Sequence, residues 1–192
     1  MASVESNYTI TGGIRFETLV PERVLIIPSQ DNIKTWADFG IKVTNQTSTP
    51  YRFIFFNLEM EMVRPDGQLI QPDYARNGTN IPWQSDFLLA KPGETLTFWI
   101  KAKFVWRGYR LGFCYRDLSN GFYTFLGLKP IKYWVRFTYR NVFPISPNPN
   151  INIYMASNDI CYCNQPWPFP EELWTGIASS PYEEFYLEYP PE

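Results

Sequence analysis

The chain has 192 residues with 17 basic and 19 acidic side chains, and this net charge of −2 lacks the basic footprint of a general nucleic-acid-binding domain. No apolar run reaches the ~18 residues that a membrane-spanning helix needs, which argues against an integral membrane protein. The chain contains no His, which excludes Ser-His and Cys-His nucleophile pairs and every His-bearing metal site.

Aromatic residues make up 18% of the chain, and such side chains fit a pleated, half-buried surface better than a helix. Seventeen Pro and eleven Gly residues provide many turns, and no long window has the apolar period of an amphipathic helix. Composition therefore predicts an all-β protein. The length lies within the range of single all-β domains and no linker divides the chain, so we expect residues 1–192 to form one domain.

The first predicted strands, residues 14–20 and 24–27, are separated by Pro21, which cannot donate to a β-ladder. This predicts a first strand that bends or switches between sheets. Farther along the chain, apolar and polar residues alternate from Ala37 to Thr44, the period-two pattern of a half-buried strand.

A second alternation, from Phe56 to Met62, precedes the turn sequence Arg64-Pro-Asp-Gly67. The chain then returns in a hairpin at Leu69. Residues 71–86 show little periodicity, and we predict a long loop there.

The clearest strand follows the turn sequence Lys91-Pro-Gly-Glu94 and alternates from Thr95 to Phe104. Asn120-Gly121 then predicts a hairpin. Its two strands cover residues 110–116 and 122–126, a further strand covers 132–140, and the last covers 185–189.

Residues 141–170 contain six prolines and no regular pattern. A loop of this length in a compact domain is usually functional or disordered. We therefore predict a long Pro-rich insertion before the last strand.

The C-terminal half contains Lys91-Pro-Gly-Glu94, Leu128-Lys-Pro-Ile-Lys-Tyr133 and Trp174-Thr-Gly-Ile-Ala-Ser-Ser-Pro181. This succession resembles bacterial immunoglobulin-like modules, which often read L-x-P-G-x-Y … W-T-G-x-V-x-S-N-P. The resemblance covers about the last hundred residues, although Ile131 stands where the family usually has Gly. It implies an immunoglobulin-like antiparallel β-sandwich in which Tyr133 opens a strand as a tyrosine corner. No chemistry is shared across these modules, so the resemblance implies a fold and no activity.

Signals for catalysis and cofactors are weak. There is no Gly-rich phosphate-binding motif. Cys161 and Cys163, even with Cys114, have neither a fourth thiol nor a histidine to complete a tetrahedral metal site, which leaves Asp159 as an oxygen ligand and favours ordinary loop cysteines. A carboxylate pair such as Glu59 and Glu61 is usually solvated rather than catalytic. We therefore expect a non-enzymatic protein without a metal or cofactor.

Features of the sequence that bear on localisation favour the cytoplasm. The three cysteines form an odd set, which suits reduced thiols. The first residues also lack the basic and apolar regions of a secretory signal.

The main binding hypothesis places four aromatic anchors in or beside the Pro-rich segment: Tyr162, Trp167, Phe169 and Trp174. Stiff aromatic side chains give a large contact area at low entropy cost, so these residues predict a protein partner. The alternative is that the same rings pack back onto the sandwich and cover its open end.

A second hypothesis is a carbohydrate-binding or carbohydrate-cleaving sandwich whose exposed aromatic rings stack on sugars. One basic and aromatic run suits an anionic sugar or single-stranded nucleic acid. Its alternative interpretation is a solvated sheet face whose charges oppose aggregation. The run consists of Lys101, Lys103, Trp106, Arg107, Tyr109 and Arg110. A loop-based protease inhibitor ranks below both hypotheses because no inhibitor motif is present.

Overall fold

The computed structural model describes residues 7–56, 58–76, 82–142 and 172–191, together with the backbone of 152–156 and 159–163. In these ranges the chain is all-β, with one short 3₁₀ helix at Gln84–Asp86 between the eighth and ninth strands. The predicted all-β class is confirmed.

The strands are numbered in chain order. They are β1 (Thr9–Thr11), β2 (Ile14–Leu19), β3 (Val24–Ile26), β4 (Thr35–Asn45), β5 (Tyr51–Phe53), β6 (Leu58–Val63), β7 (Leu69–Ile70), β8 (Asp73–Arg76), β9 (Leu88–Ala90), β10 (Thr95–Arg107), β11 (Arg110–Arg116), β12 (Gly121–Leu128), β13 (Lys132–Asn141), β14 (Asn152–Ala156), β15 (Asp159–Cys163), β16 (Gly176–Ser179) and β17 (Glu183–Glu188).

Two large sheets contain most of the strands. The seven-stranded sheet has the order β1-β2-β4-β10-β11-β12-β8, and the six-stranded sheet has the order β3-β17-β13-β6-β7 with β16 also paired to β13. Two further pairs, β14-β15 and β5-β9, form small sheets. Strand pairs in the described ranges are antiparallel except for β3 and β17, which run parallel. The edge strands of the two large sheets contain two to four residues each.

The two large sheets pack face to face through aromatic side chains. Phe39 of the seven-stranded sheet meets Phe185 of the six-stranded sheet at a centroid distance of 5.2 Å in an edge-on contact. Phe16 and Tyr139 make a second contact between the sheets at 6.1 Å. Such pairs contribute beyond the apolar area that they bury. A single cluster of buried residues runs through both sheets.

The predicted break at Pro21 separates two strands that join different sheets. β2 pairs with β4 in the seven-stranded sheet, whereas β3 pairs with β17 in the six-stranded sheet. The chain therefore crosses from one sheet to the other at the position where Pro21 interrupts the ladder.

The period-two predictions are also confirmed. Met60 and Met62 of β6 are buried, as are Ala102 and Phe104 of β10, whereas Lys101 between them is exposed. The turn predicted at residues 64–67 forms, with Gly67 at φ +82° and its N–H donating to the Arg64 carbonyl at 2.9 Å.

The loop predicted at residues 71–86 is wrong in part because Asp73–Arg76 forms β8, an edge strand paired with β12. Within the predicted Pro-rich insertion, the backbone forms β14 and β15, an antiparallel pair in which Ala156 lies opposite Asp159. The short strands β1, β5 and β9 were also missed. Backbone pairing defines these elements, and three to five residues give too few positions for a period to be recognised.

Tyr133, which the sequence places at the start of a strand, is buried at the start of β13. Its hydroxyl accepts a hydrogen bond from the Lys129 N–H at 2.8 Å and donates one to the Lys129 carbonyl at 3.1 Å. This side chain therefore fixes the turn that leads from β12 into β13.

Replacing Tyr133 with Phe removes both hydrogen bonds and keeps the ring. We expect the free energy of unfolding to fall by about 1–2 kcal/mol, because the two Lys129 backbone groups lose their partner. Urea unfolding measures the change, with Tyr189→Phe, an exposed position, as the matched control. Equal stability of both variants would contradict the role of the Tyr133 hydroxyl.

Candidate ligand-binding surface

The four predicted aromatic anchors have different placements. Tyr162 belongs to β15, whose backbone alone is described, and Trp167 and Phe169 lie outside the described residues. Trp174 is described, and its side chain is only 6% exposed.

Trp174 packs in the core near one end of the two sheets. Its ring stacks on Phe53 at 6.0 Å and lies 5.5 Å from both Phe16 and Tyr139. The Trp174 carbonyl accepts a hydrogen bond from the buried Asn141 side chain at 2.6 Å. Trp174 thus follows the alternative interpretation, in which a ring packs back onto the sheets, because Phe16, Phe53 and Tyr139 leave it no exposed face to offer a partner.

Exposed aromatic side chains instead occur on the outer face of the seven-stranded sheet, the face turned away from the core. We call the part formed by β4, β10, β11 and β12 the cationic face. Trp99 of β10 lies opposite Gly40 of β4. A Cβ atom built on Gly40 would lie 2.6 Å from Trp99 Cε3, so the ring covers the space that a side chain would fill. The ring is 43% exposed, and its Cζ3 atom lies 2.9 Å from the same Cβ position.

Trp36, the second exposed ring on this face, lies opposite Lys103 in the β4-β10 register. It is 63% exposed, and Lys103 Nζ lies 5.6 Å from the centre of the ring. Lys103 follows Trp99 by four residues on the same face of β10, which corresponds to about 13 Å along the strand. The two rings are therefore separated by more than the length of one sugar ring.

Lys42 of this face pairs with Glu17 at 3.0 Å, and the five other cations that the structure describes on it are Lys101, Lys103, Arg107, Arg110 and Arg116. Within the described part of the chain, none of these five forms an ion pair with a carboxylate. The Arg107 side chain folds across β11, with its guanidinium 3.9 Å from the Cys114 sulfur and 5.9 Å from the Phe122 ring centre. Arg107 thereby covers the Cys114 thiol, which is 1% exposed.

The outer face of the six-stranded sheet has the opposite arrangement. Glu61 pairs with Arg136 at 2.8 Å, Glu59 lies 3.6 Å from Arg140, and Lys132 and Glu184 are 3.1 Å apart. Charges on that face are matched by partners across neighbouring strands. The two outer faces therefore differ in whether their described cations have a carboxylate partner.

Glu61 lies at the centre of the paired face. Burial raises the pKa of its carboxyl, but hydrogen bonds from Arg136, Thr138 and Tyr182 and the charge of Arg136 outweigh burial. The pKa therefore lies below its ordinary value of 4.5. Glu59 and Glu61, which the sequence analysis considered as a carboxylate pair, each lie beside an Arg on this face.

The basic run predicted from sequence divides between two faces. Lys101, Lys103 and Arg107 lie on the cationic face, whereas Trp106 packs against the core and its Nε1–H donates to the Pro28 carbonyl at 2.7 Å. Tyr109 is fully exposed at the tip of the β10-β11 hairpin.

Two cationic-face residues, Trp36 and Arg116, were missed because they come from other strands. The alternation of β10 already indicated that Trp99 faces away from the core.

The described residues contain no group of three or more Cys, Asp or Glu side chains arranged to hold a metal ion. Nor does that part of the chain include a helix with the length and apolarity that a bilayer crossing requires.

Comparison of the chain with family models, with curated proteins and with solved structures gives no match.

Replacing Gly40 with Ala tests the contact beneath Trp99. The added methyl group meets the ring and also the Phe98 carbonyl at 2.7 Å, so we expect a loss of about 1–3 kcal/mol of unfolding free energy. In a Trp99→Ala background the cost should be smaller because only the carbonyl contact remains. Urea unfolding of the two single variants and the double variant measures the coupling; an equal cost in both backgrounds would show that the ring does not occupy this space.

Glu61 should make stability depend on pH. Because its folded-state pKa is lowered, its contribution is present above pH 4.5 and is lost as pH falls through the folded pKa. Glu61→Gln should flatten the fall in unfolding free energy below pH 4.5, which urea unfolding of the variant and the wild type at a series of pH values measures. An unchanged slope in Glu61→Gln would contradict this assignment.

Proposed function

We propose that the protein is a non-enzymatic binding protein that holds a carbohydrate chain on the cationic face. One observation carries this proposal: Trp99 and Trp36 expose their rings on the same face of one sheet. Trp99 packs over Gly40 through its Cε3 and Cζ3 atoms, and 43% of the residue stays exposed. An outer sheet face with two separated exposed rings suits an extended polymer better than a small molecule, which needs a concave pocket.

The chemistry of sugars supports this ligand class. The C–H side of a pyranose ring is apolar and slightly positive, and it packs against the negative face of an aromatic ring. Indole provides the largest such face among the side chains. Because the sheet already holds the Trp99 ring in place, its contact with a ligand costs little conformational entropy.

The carboxylates near this surface favour binding over cleavage. A glycosidase generally needs two carboxyl groups that flank the scissile bond. Glu17 is buried and held by Arg15 at 2.9 Å and by Lys42 at 3.0 Å. Asp38 is exposed and lies opposite Lys101. Among the residues that the structure describes, one free carboxylate beside the rings does not provide the pair that the reaction requires.

For the fold we propose an immunoglobulin-like sandwich. Three features support it: the first strand divides between the sheets at Pro21, β3 runs parallel to β17, and the Tyr133 hydroxyl bonds back to Lys129 as in a tyrosine corner. In the seven-stranded sheet, the hairpin of β11 and β12 lies between β10 and the edge strand β8.

The sequence-based hypothesis of a protein partner at residues 141–170 stays a prediction. It places the binding site outside the cationic face, because the anchors Tyr162, Trp167 and Phe169 belong to that segment. Replacing residues 144–170 with a short Gly-Ser linker separates the two hypotheses. The variant should retain carbohydrate binding if the cationic face is the site, and should lose capture of a protein partner if the segment is the site.

The test of the proposed function uses an array of neutral and acidic polysaccharides and calorimetric titration of those that bind. We expect Trp99→Ala and Trp36→Ala each to weaken binding at least about tenfold, the effect of losing one aromatic stacking contact. Trp83→Ala is the matched control, since Trp83 is 78% exposed and lies beside the 3₁₀ helix, outside the cationic face. A blank array, or equal weakening by all three variants, would refute carbohydrate binding at this face.

A further inference from the structure

The positions of the cations relative to the two rings identify a narrower class of ligand. We infer that the carbohydrate is acidic, with carboxylate or sulfate groups that contact Lys101, Lys103 and Arg116. This inference rests on the proposed function, since it concerns what the same surface selects.

A chain that touches both rings must cross cationic groups. Between Trp99 and the level of Trp36, the outward position on β10 is Lys101, and the next outward position is Lys103 beside Trp36. The pairing of Ala102 with Tyr115 places Arg116 next to Lys101 on the neighbouring strand. Lys101 and Arg116 are exposed and Lys103 is half-buried, so their charged groups line the path between the rings.

A neutral chain on this path would remove water from ammonium and guanidinium groups without replacing it by an anion. The cost of such desolvation is high for charged groups. An acidic chain replaces the water with charge-assisted hydrogen bonds, which Arg makes in bidentate form with carboxylate or sulfate. The surface therefore favours an acidic chain and also discriminates against a neutral one.

Asp38 is the one exposed carboxylate between the rings in the described residues, and the structure records no ion pair between it and Lys101. It reduces the positive charge at the centre of the path. Together with the net charge of −2, this favours an acidic glycan, in which sugars space the charges apart, over a nucleic acid with a phosphate on every nucleotide. Asp38→Asn should therefore strengthen binding of an acidic chain.

The experiment uses the full chain and three acidic polysaccharides: polygalacturonate, alginate and heparin. Each is paired with the same polymer after methyl esterification of its carboxyl groups, and heparin also after desulfation. We expect at least one acidic form to bind about tenfold more tightly than its neutralised form, because several exposed charge contacts of modest strength add together. The preference should shrink as salt is raised from low ionic strength, where exposed charges are least screened.

The variants separate the inference from the function beneath it. A Lys101→Gln, Lys103→Gln double variant should lose the preference for the acidic form while retaining the binding that Trp99 and Trp36 provide. A Lys129→Gln, Lys132→Gln double variant, which removes two lysines outside the cationic face, is the matched charge control and should keep the preference. A thermal melt checks that the variants fold.

Each remaining outcome has a defined meaning. Equal binding of acidic and neutralised polymers, with loss of both in Trp99→Ala, would overturn the inference and leave the proposed function standing. No binding of any polysaccharide would overturn both. Tighter binding of single-stranded oligothymidylate than of every acidic polysaccharide, lost in the lysine double variant, would overturn the inference in favour of nucleic acid.

Discussion

The register between β4 and β10 is the constraint on which the rest of the structure depends. These two strands lie side by side near the middle of the seven-stranded sheet, and ten consecutive residue pairs join them. A slip of one residue would turn every side chain of a strand to the opposite face. If β10 slipped by one residue against β4, Ile100 and Phe104 would leave the core and Trp99 would lose the glycine beneath it. Core formation and the surface array are therefore set by the same hydrogen-bonded ladder.

The two outer faces of the molecule show how similar sheets acquire different surfaces. On the six-stranded sheet, Arg136 and Arg140 of β13 each meet a Glu of β6 across the ladder. On the seven-stranded sheet, Lys103 lies opposite Trp36 and leaves its charge unmatched by a carboxylate. Cross-strand pairing thus neutralises one face and leaves the other able to attract an anion.

The sequence predicts those parts of the fold that depend on alternation or on turn chemistry. The inward residues of β10, the turn at Gly67 and the hairpin at Asn120 are examples, and Tyr133 was recognised from a motif. β8 escaped prediction because an edge strand is held by backbone bonds to β12, whatever its side chains. Short paired segments of this kind carry no periodic signal.

The candidate site was harder to predict than the fold, for a related reason. Trp36 and Trp99 are 63 positions apart in the sequence, and only the β4-β10 register brings them to one surface. Trp174, by contrast, lies in a Pro-rich neighbourhood that suggests exposure, yet Phe16, Phe53 and Tyr139 surround its ring. The sequence alone shows that an aromatic ring is present, and packing decides on which face of the sheet the ring lies.

The edge strands of the two large sheets have a consequence for how molecules of this protein meet one another. β1, β3, β7 and β8 contain only two to four residues each, so they present few free backbone donors and acceptors to a neighbouring chain. A long exposed edge would allow sheets from separate molecules to join into continuous fibrils. Because these edges are short, many copies of the protein can lie close together in a concentrated solution without their sheets joining.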